Sequence, residues 1–501
     1  MSEEKNRQDD EVIRVQLERH QWPDEIDLKT LKKENRRLMR IIYILAIICG
    51  LLVGLAWSLR GRKPVTNTAD TKLSEILRIM SKEWFFAKDI EDPEGRLMDQ
   101  ALIGMTTNAE DPHTVYMTEE ETTNFTQSIN RNFVGIGVQY FSTGDGIHMV
   151  ERVFKGSPAE KAGVQPGDMI HIVDGTVVDD LTSDDITGMV RGEPGTSVEI
   201  VFIRGDELVT LVIPRQAINV TVFGEMLDNS NGYIEIMQFG ETTAAEMKTY
   251  MQDLLDQGAK SLIIDLRGNG GGYLDSLQDV ASLFIPKGQT LMKQVYPNDS
   301  EEVLLAKSGQ IWNDGDIVLL VDENTASASE VFTLAMKENR DDVTVIGSKT
   351  YGKGTVQITY TFSDRSALKY TTSKWVSPNG IWVNNQGIEP DIPVDLHPAL
   401  TTIFIDMDEQ TVLSYDSVSE YNRIAQLAMD FLGYSAGRVD GYFSKGMEDA
   451  IRKFQDDRGL EVNGTLDKDT YNSLLSAVIY TWNTDHSYDA PLVKAKEILH
   501  G

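Results

Sequence analysis

Two short stretches hold side chains of the types and spacing needed for acyl transfer. The first is Asn324-Thr325-Ala326-Ser327-Ala328-Ser329-Glu330. The second is Tyr351-Gly352-Lys353-Gly354-Thr355-Val356-Gln357. The apolar run Ile317–Val321 reads as a buried parallel strand leading into the first stretch. Val331, Leu334, Ala335 and Glu338 follow at helical spacing. A serine at such a strand-to-helix turn sits among unpaired N–H groups at the positive end of a helix dipole. That setting stabilises negative charge on an attacked carbonyl oxygen. None of the chain's seven histidines lies between the two stretches, so the base is sought elsewhere. Lys353 is the candidate. With residues 353–357 extended, Lys353, Thr355 and Gln357 share one face, and Gln357 can hold the lysine amine. A lysine must be neutral to accept a proton. Bringing it from ~10.4 to near 7 costs about 4–5 kcal/mol, which burial among apolar groups supplies. Serine–lysine pairs are a known variant of the triad logic.

Together the two stretches resemble the carboxy-terminal processing peptidases, a serine peptidase family with the pattern Ser-Ala-Ser-Ala-Ser-Glu followed by Phe/Tyr-Gly-Lys-Gly-Ser/Thr-Val-Gln. The resemblance implies Ser327 as nucleophile, Lys353 as general base and Gln357 as its orienter. Thr325 replaces the first serine of the pattern, and the interval to Lys353 is slightly longer, with the addition expected in the loop Lys337–Asp342. Upstream, the strand Lys260–Arg267 runs into Gly268-Asn269-Gly270-Gly271-Gly272 and then a helix from about Leu274. A phosphate loop has this outline, but Tyr273 stands where a third glycine belongs and no Walker lysine follows. The family has Asp-Leu-Arg-x-Asn-x-Gly-Gly here. This implies an oxyanion hole made by the N–H of Gly271 or Gly272, with Gly271 favoured, and that of Ala328. Asp265 and Arg267 are expected to be structural. Trp375–Gly380 and Gly387–Ile392 match the family's closing pattern and are expected to build the sheet.

The elements around these stretches make a multidomain α+β chain. The expectation is an N-terminal transmembrane helix, a PDZ β-sandwich-like domain, an α/β protease core and a small all-α C-terminal domain, on the residues given next. Residues 1–40 form a charged cytoplasmic tail. Ile41–Leu59 is almost wholly apolar and spans about 28 Å as a helix, enough to cross a bilayer. Basic residues flank it on both sides, with the bias setting the N-terminus inside. The charged leader and the lack of a small-residue cleavage site disfavour a signal peptide. Residues 64–132 read as a linker and helical lead-in, with Leu73, Ile76, Leu77 and Met80 as its first apolar stripe; His113 reads as a turn-packing residue. Residues 133–215 resemble a PDZ domain through Phe133-Val134-Gly135-Ile136-Gly137-Val138, Gly156–Gly163 and Val173-Asp174-Gly175. The resemblance implies a groove for an apolar C-terminal tail, lined by Val134, Gly135, Ile136, Gly137, Met189 and Val190, in which a peptide adds as a strand. Arg191 sits at the end of a helix read as Ser183–Arg191. It is expected to compensate the helix dipole, with a charge that senses the bound carboxylate or switches the protease as the sharper reading. Residues 216–395 form the protease core and 396–418 a connector. Residues 419–478 resemble a peptidoglycan-binding module through Gly437–Phe443, Phe454-Gln455 and Asn463–Leu466, and 479–501 read as a polar tail with one last helix.

The net charge of −31 argues against nucleic acid as a partner. The single cysteine, Cys49, excludes a disulfide framework. No metal or organic cofactor is required by this chemistry. The combined expectation is a membrane-anchored, extracytoplasmic serine endopeptidase that captures protein C-terminal tails, touches the cell wall and pairs as a homodimer. A non-catalytic adaptor with PDZ and wall modules is the rival from another class. A cytoplasmic enzyme with Ile41–Leu59 as a buried helix is a third reading.

Overall fold

A computed structural model describes residues 32–39, 44, 45, 47, 48, 69–205 and 207–500. Most of the expected span Ile41–Leu59 therefore lies outside the described residues. Among those described, no helix is long and apolar enough to cross a membrane. The chain divides into two units, Met1–Ala101 and Leu102–Gly501. In the first, helix α1 (Ala69–Lys82) buries Leu77 but leaves Ile76 exposed, so the expected stripe is only partly used. Helix α2 (Pro93–Thr106) crosses the boundary between the units.

The second unit opens with a departure from the expected lead-in. Residues Val115–Met117 form strand β1, followed by helix α3 (Glu119–Asn130) under a Thr118/Glu121 capping box. Strand β2 (Asn132–Gly135) pairs antiparallel with β9 (Gln216–Asn219), which ties off both ends of the PDZ domain. The PDZ sheet runs in the order β3 (Val138–Ser142), β4 (His148–Val153), β5 (Met169–Val173), β7 (Ser197–Arg204) and β8 (Glu207–Pro214), with β6 (Thr176–Val177) on β5. Helices α4 (Pro158–Ala162) and α5 (Ser183–Val190) close its core.

The protease core is a six-stranded sheet in the order β10 (Val222–Met226), β11 (Asn231–Ile236), β12 (Ser261–Asp265), β15 (Ile317–Val321), β16 (Val343–Gly347) and β19 (Ile392–Pro393). All pairs but β10–β11 are parallel. All five residues of β15 are buried, as its uninterrupted apolar run requires of a central strand covered on both faces. Alternate side chains feed two cores. Leu262, Ile264, Ile317, Leu319 and Val321 meet helices α6 (Thr243–Gln257), α7 (Leu274–Ala281) and α8 (Ala328–Asn339). Ile263, Val318, Leu320 and Ile346 point to the other face. Helix α8 runs through Asn339, so only Arg340–Asp342 of the expected loop lie outside it. A second, antiparallel sheet runs β1–β18–β13–β14, where β13 is Thr290–Val295, β14 Glu301–Leu305 and β18 Ala367–Val376. Strand β17 (Thr355–Thr361) lies along the other edge of β18. The register Val115↔Lys369 to Met117↔Ala367 places β1 in this sheet.

The C-terminal region is helical, as expected, but its limits differ. Past the short helix α9 (Pro398–Thr401), α10 (Glu420–Phe431), α11 (Lys445–Asp457) and α12 (Lys468–Thr484) share one apolar cluster, which also takes in Ala399 and Met407 from the connector. The tail after residue 484 is not a free polar extension. Helix α13 (Ala490–His500) returns to the protease core, where Leu492 and Ala495 are buried on the second face of the six-stranded sheet with Ile498 and Leu499 beside them. These apolar residues recur at helical spacing, and without them that face would expose Ile263, Val318 and Leu320.

Candidate active site

The site forms at the carboxyl ends of the adjacent parallel strands β12 and β15. After β15 the chain turns at Asp322, whose Oδ1 accepts the Thr325 N–H at 2.9 Å and the Gly268 N–H at 3.0 Å. The Thr325 hydroxyl, fully buried, donates to the Leu266 carbonyl at 2.9 Å. Thr325 thus ties the two strand ends together, and a hydroxyl at this position serves the fold. Ser327 follows at φ 56° and ψ −117°. A non-glycine residue held there stores roughly 1–3 kcal/mol of backbone strain, a feature shared with the sharp strand-to-helix turns that present nucleophiles. Ser329 is a different case: it is fully buried and donates to the Asn269 carbonyl at 3.0 Å, so its hydroxyl is spent on structure.

Asn269 organises the glycine loop. Its side-chain nitrogen donates to the Ile236 carbonyl at 2.6 Å, and its own carbonyl accepts the Ala326 N–H at 3.0 Å. Its Oδ1 accepts the Gly271 N–H at 2.9 Å. That bond engages the favoured glycine of the expected oxyanion hole. The Gly271 N–H is already engaged and the residue is buried, whereas Gly272 lines the cleft and its N–H has no acceptor among the described residues. The Ala328 N–H, first of helix α8, also has none there. Both glycines are needed for close approach. A Cβ on Gly271 would lie 2.9 Å from the Ala328 nitrogen, and one on Gly272 2.3 Å from the Phe239 carbonyl oxygen.

Glu330 links the serine turn to the lysine segment. This fully buried carboxylate accepts the Ser327 N–H at 2.9 Å and the Lys353 N–H at 2.8 Å on one oxygen. On the other it accepts the Gly352 N–H at 2.8 Å and the Thr350 hydroxyl at 2.6 Å. Two indoles complete the clamp. Trp375 Nε1 donates to the Lys353 carbonyl at 2.8 Å and Trp382 Nε1 to the Gly354 carbonyl at 2.9 Å. Trp375 therefore does more than build the sheet. Lys353 precedes β17, and Lys353, Thr355 and Gln357 all line the cleft with Ser327, as alternation requires. The Gln357 amide nitrogen is taken by the Thr355 and Thr371 hydroxyls at 2.9 and 3.1 Å, so the expected bond from Gln357 to the lysine amine is not made through that atom. Behind Gln357, Thr371 donates in turn to Asp111 at 3.1 Å.

The cleft encloses about 200 Å³, with Phe125, Ile129, Leu274 and Val331 among its apolar walls. Burial, reinforced by the charge of Lys369 across the cleft, brings the Lys353 amine down to about 8, while Glu330 and Asp111 pull the other way. The fall is smaller than the sequence-based expectation, because these two carboxylates partly offset desolvation. Lys369 is itself lowered by burial and lies 4.6 Å from the Phe125 ring centroid. His113 is half-buried and lowered by burial and by Lys353. A base that works only when neutral gives kcat/KM rising about tenfold per pH unit below its pKa. The expected profile climbs to a plateau above about 8. Lys369→Met removes a like charge, so it favours protonated Lys353 and moves the climb to higher pH. Initial rates on a peptide from pH 6 to 10 check both, and an unmoved profile refutes the role given to Lys369.

The PDZ residues divide into core and groove. Ile136 and Val190 are buried in the domain core. Gly135 and Gly137 are buried, while Val134 and Met189 are half-exposed. A Cβ on Gly137, at φ 87°, would fall 2.3 Å from the Ser157 Cβ. Compensation at the end of α5 comes from Arg215 and not from Arg191: Arg215 donates to the Met189 and Val190 carbonyls at 2.8 and 2.9 Å. Arg191 instead lies over the Phe133 ring, 5.1 Å from its centroid.

Residues 230–394 match the model of peptidase family S41, 149–204 a PDZ domain, and 423–474 a peptidoglycan binding domain. The chain is 34% identical over 450 residues to the carboxy-terminal processing protease CtpA of Bacillus subtilis, covering 88% of this chain and 94% of that protein. It is 32% identical over 450 residues to a CtpA-like serine protease of Staphylococcus haemolyticus, covering 89% of each. Among solved structures, a photosystem II D1 C-terminal processing protease aligns at 26% identity and a TM-score of 0.39, over 66% of this chain and 94% of that one. With a strained serine at the strand-to-helix turn, a buried lysine in the same cleft and a PDZ domain ahead of them, the chain belongs to the carboxy-terminal processing proteases of peptidase family S41.

Proposed function

We propose that this peptidase cleaves protein chains through a Ser327–Lys353 dyad after its PDZ domain has captured their C-terminal tails. The observation that carries the reading is the Glu330 carboxylate, which fixes the backbones of Ser327 and Lys353 in one buried hydrogen-bonded unit. Ser327 Oγ attacks the peptide carbonyl while neutral Lys353 Nζ takes its proton. The Ala328 and Gly272 N–H groups hold the oxyanion. Lys353 then returns the proton to the leaving amine, and water, deprotonated by the same lysine, hydrolyses the acyl-enzyme. Gln357 keeps the thread from Asp111 through Thr371 in register behind the amine. The same reading extends to a cell-envelope enzyme held by Ile41–Leu59, with the 423–474 domain on the wall polymer.

The test incubates the full chain with an unfolded protein ending in apolar residues, beside the same protein with its C-terminus amidated. Mass spectrometry of the products should show cleavage of the first, and at least a tenfold slower reaction with the second. Equal rates on both would remove the PDZ carboxylate from the reading while leaving the dyad intact.

A further inference from the structure

The residue just ahead of helix α13 reaches the arginine that leads into the glycine loop. Arg267, immediately before Gly268–Gly272, lies between two carboxylates. One is Asp265, two residues earlier, at 2.6 to 3.0 Å. The other is Asp489, 222 residues later, which meets both terminal nitrogens of the guanidinium at 2.8 and 2.7 Å. Both carboxylates are buried. A cavity of about 330 Å³ opens beside the guanidinium, lined also by Arg152, Glu235 and Trp482. On that side the guanidinium is held by its ion pairs with Asp265 and Asp489. A bidentate arginine–carboxylate contact fixes orientation as well as distance.

We infer that Asp489 is a positioning residue for the reaction: by completing the carboxylate pair around Arg267, it sets the Gly268–Gly272 loop against the serine turn. The path is short. The Gly268 N–H next to Arg267 shares Asp322 Oδ1 with the Thr325 N–H. From there the loop runs through Asn269 to Gly272. Asp489 lies at the end of the short turn His486–Tyr488 that follows α12, and Tyr480 of α12 touches Phe141 of the PDZ strand β3, ring centroids 6.3 Å apart. The end of the C-terminal helical module, a PDZ strand and the oxyanion loop thus belong to one connected structure. The inference rests on the oxyanion role proposed above for Gly272.

The bland alternative is that Asp489 only caps α13, since its Oδ1 accepts the Leu492 N–H at 3.1 Å. Asparagine caps a helix about as well as aspartate, so Asp489→Asn separates the two roles. In the full chain, Asp489→Asn should lower kcat on a peptide about tenfold with KM within twofold, a modest share of what misplaced reacting groups can cost. Asp489→Glu should recover most of the rate. Should either variant fold poorly, Arg267→Lys provides the second measurement, because lysine keeps the charge but cannot bridge both carboxylates. It should lose kcat similarly, and the double variant should be no worse than the more impaired single one. A kcat equal to the parent's in Asp489→Asn, or losses that multiply in the double variant, would overturn the inference. Labelling of the parent by a fluorophosphonate at Ser327 guards the underlying reading. If the parent does not label, the serine assignment fails; if it labels and Asp489→Asn labels at the same rate, only the positioning role fails.

Discussion

Ser327→Ala and Lys353→Ala each leave less than about one part in 10,000 of the parent's cleavage rate, as expected when either member of a nucleophile–base pair is removed. Both proteins should remain folded. The Glu330 cap is made to the backbone N–H of Ser327 and survives loss of the hydroxyl. Lys353 contributes its N–H and carbonyl to the clamp, and alanine keeps both. Removing the amine also removes a buried group that resists carrying charge. With Lys353 at about 8 instead of 10.5, holding it protonated in the folded chain costs about 3 kcal/mol. The sign follows: its folded value lies below its unfolded one, so this cost is fully present below about 8 and fades as pH rises towards 10.5. Lys353→Ala should therefore be at least as stable as the parent at pH 7. Ser329→Ala is the matched control, because that hydroxyl only secures Asn269. It should retain activity within about tenfold and lose about 1 kcal/mol of stability. Rates by mass spectrometry and melting by circular dichroism decide. An active Ser327→Ala with an inactive, folded Ser329→Ala would move the nucleophile to Ser329.

Glu330→Gln is expected to cost both stability and rate. The carboxylate accepts four hydrogen bonds in a fully buried place, two on each oxygen. An amide offers one acceptor oxygen and turns two donors towards the groups on the other side. Two of the four donors lose their partner, each at about 1–3 kcal/mol, giving a loss of about 2–6 kcal/mol. The Ser327 turn and the Lys353 segment are then no longer held by the same group. Misplacement of about 1 Å between reacting groups lowers turnover roughly 100-fold. The loss should fall on kcat, since the apolar walls of the cleft come from other residues. Melting and steady-state kinetics on Glu330→Gln and Glu330→Asp measure both. A Gln variant with the parent's kcat and melting curve would show that the backbone alone holds the pair.

The frame that carries the proposed Ser327–Lys353 pair was legible because its signals are local. An apolar five-residue run, a turn of small residues and a helical stripe can have few arrangements, and β15 and α8 follow them. The PDZ core was legible for the same reason, through glycines whose backbone excludes a side chain, as at Gly137. Glu330 left a trace in the Ser-x-x-Glu spacing of a capping box, but its second pair of bonds, to residues 350 and 352, comes from a segment twenty residues away. The proposal of Gly272 over Gly271 rests on a single bond to the Asn269 side chain, which motif spacing does not encode.

What the sequence determined by itself was the peptidase family and the frame of the candidate site: a strand–turn–helix unit carrying Ser327, a following segment carrying Lys353, and a PDZ domain ahead of them. Backbone preference and side-chain type act over a few residues and are written in order along the chain. What only the tertiary structure decided was the company these residues keep. Residues 115–117 became a strand because β18 offered an unpaired edge. The last eleven helical residues became a wall of the protease core because β12, β15 and β16 present apolar side chains on both faces, and only one face was covered by α6, α7 and α8. Asp489 met Arg267 because that helix docks where it does. Such pairings arise from burying surface and satisfying buried polar groups across the whole fold, which no local stretch can specify.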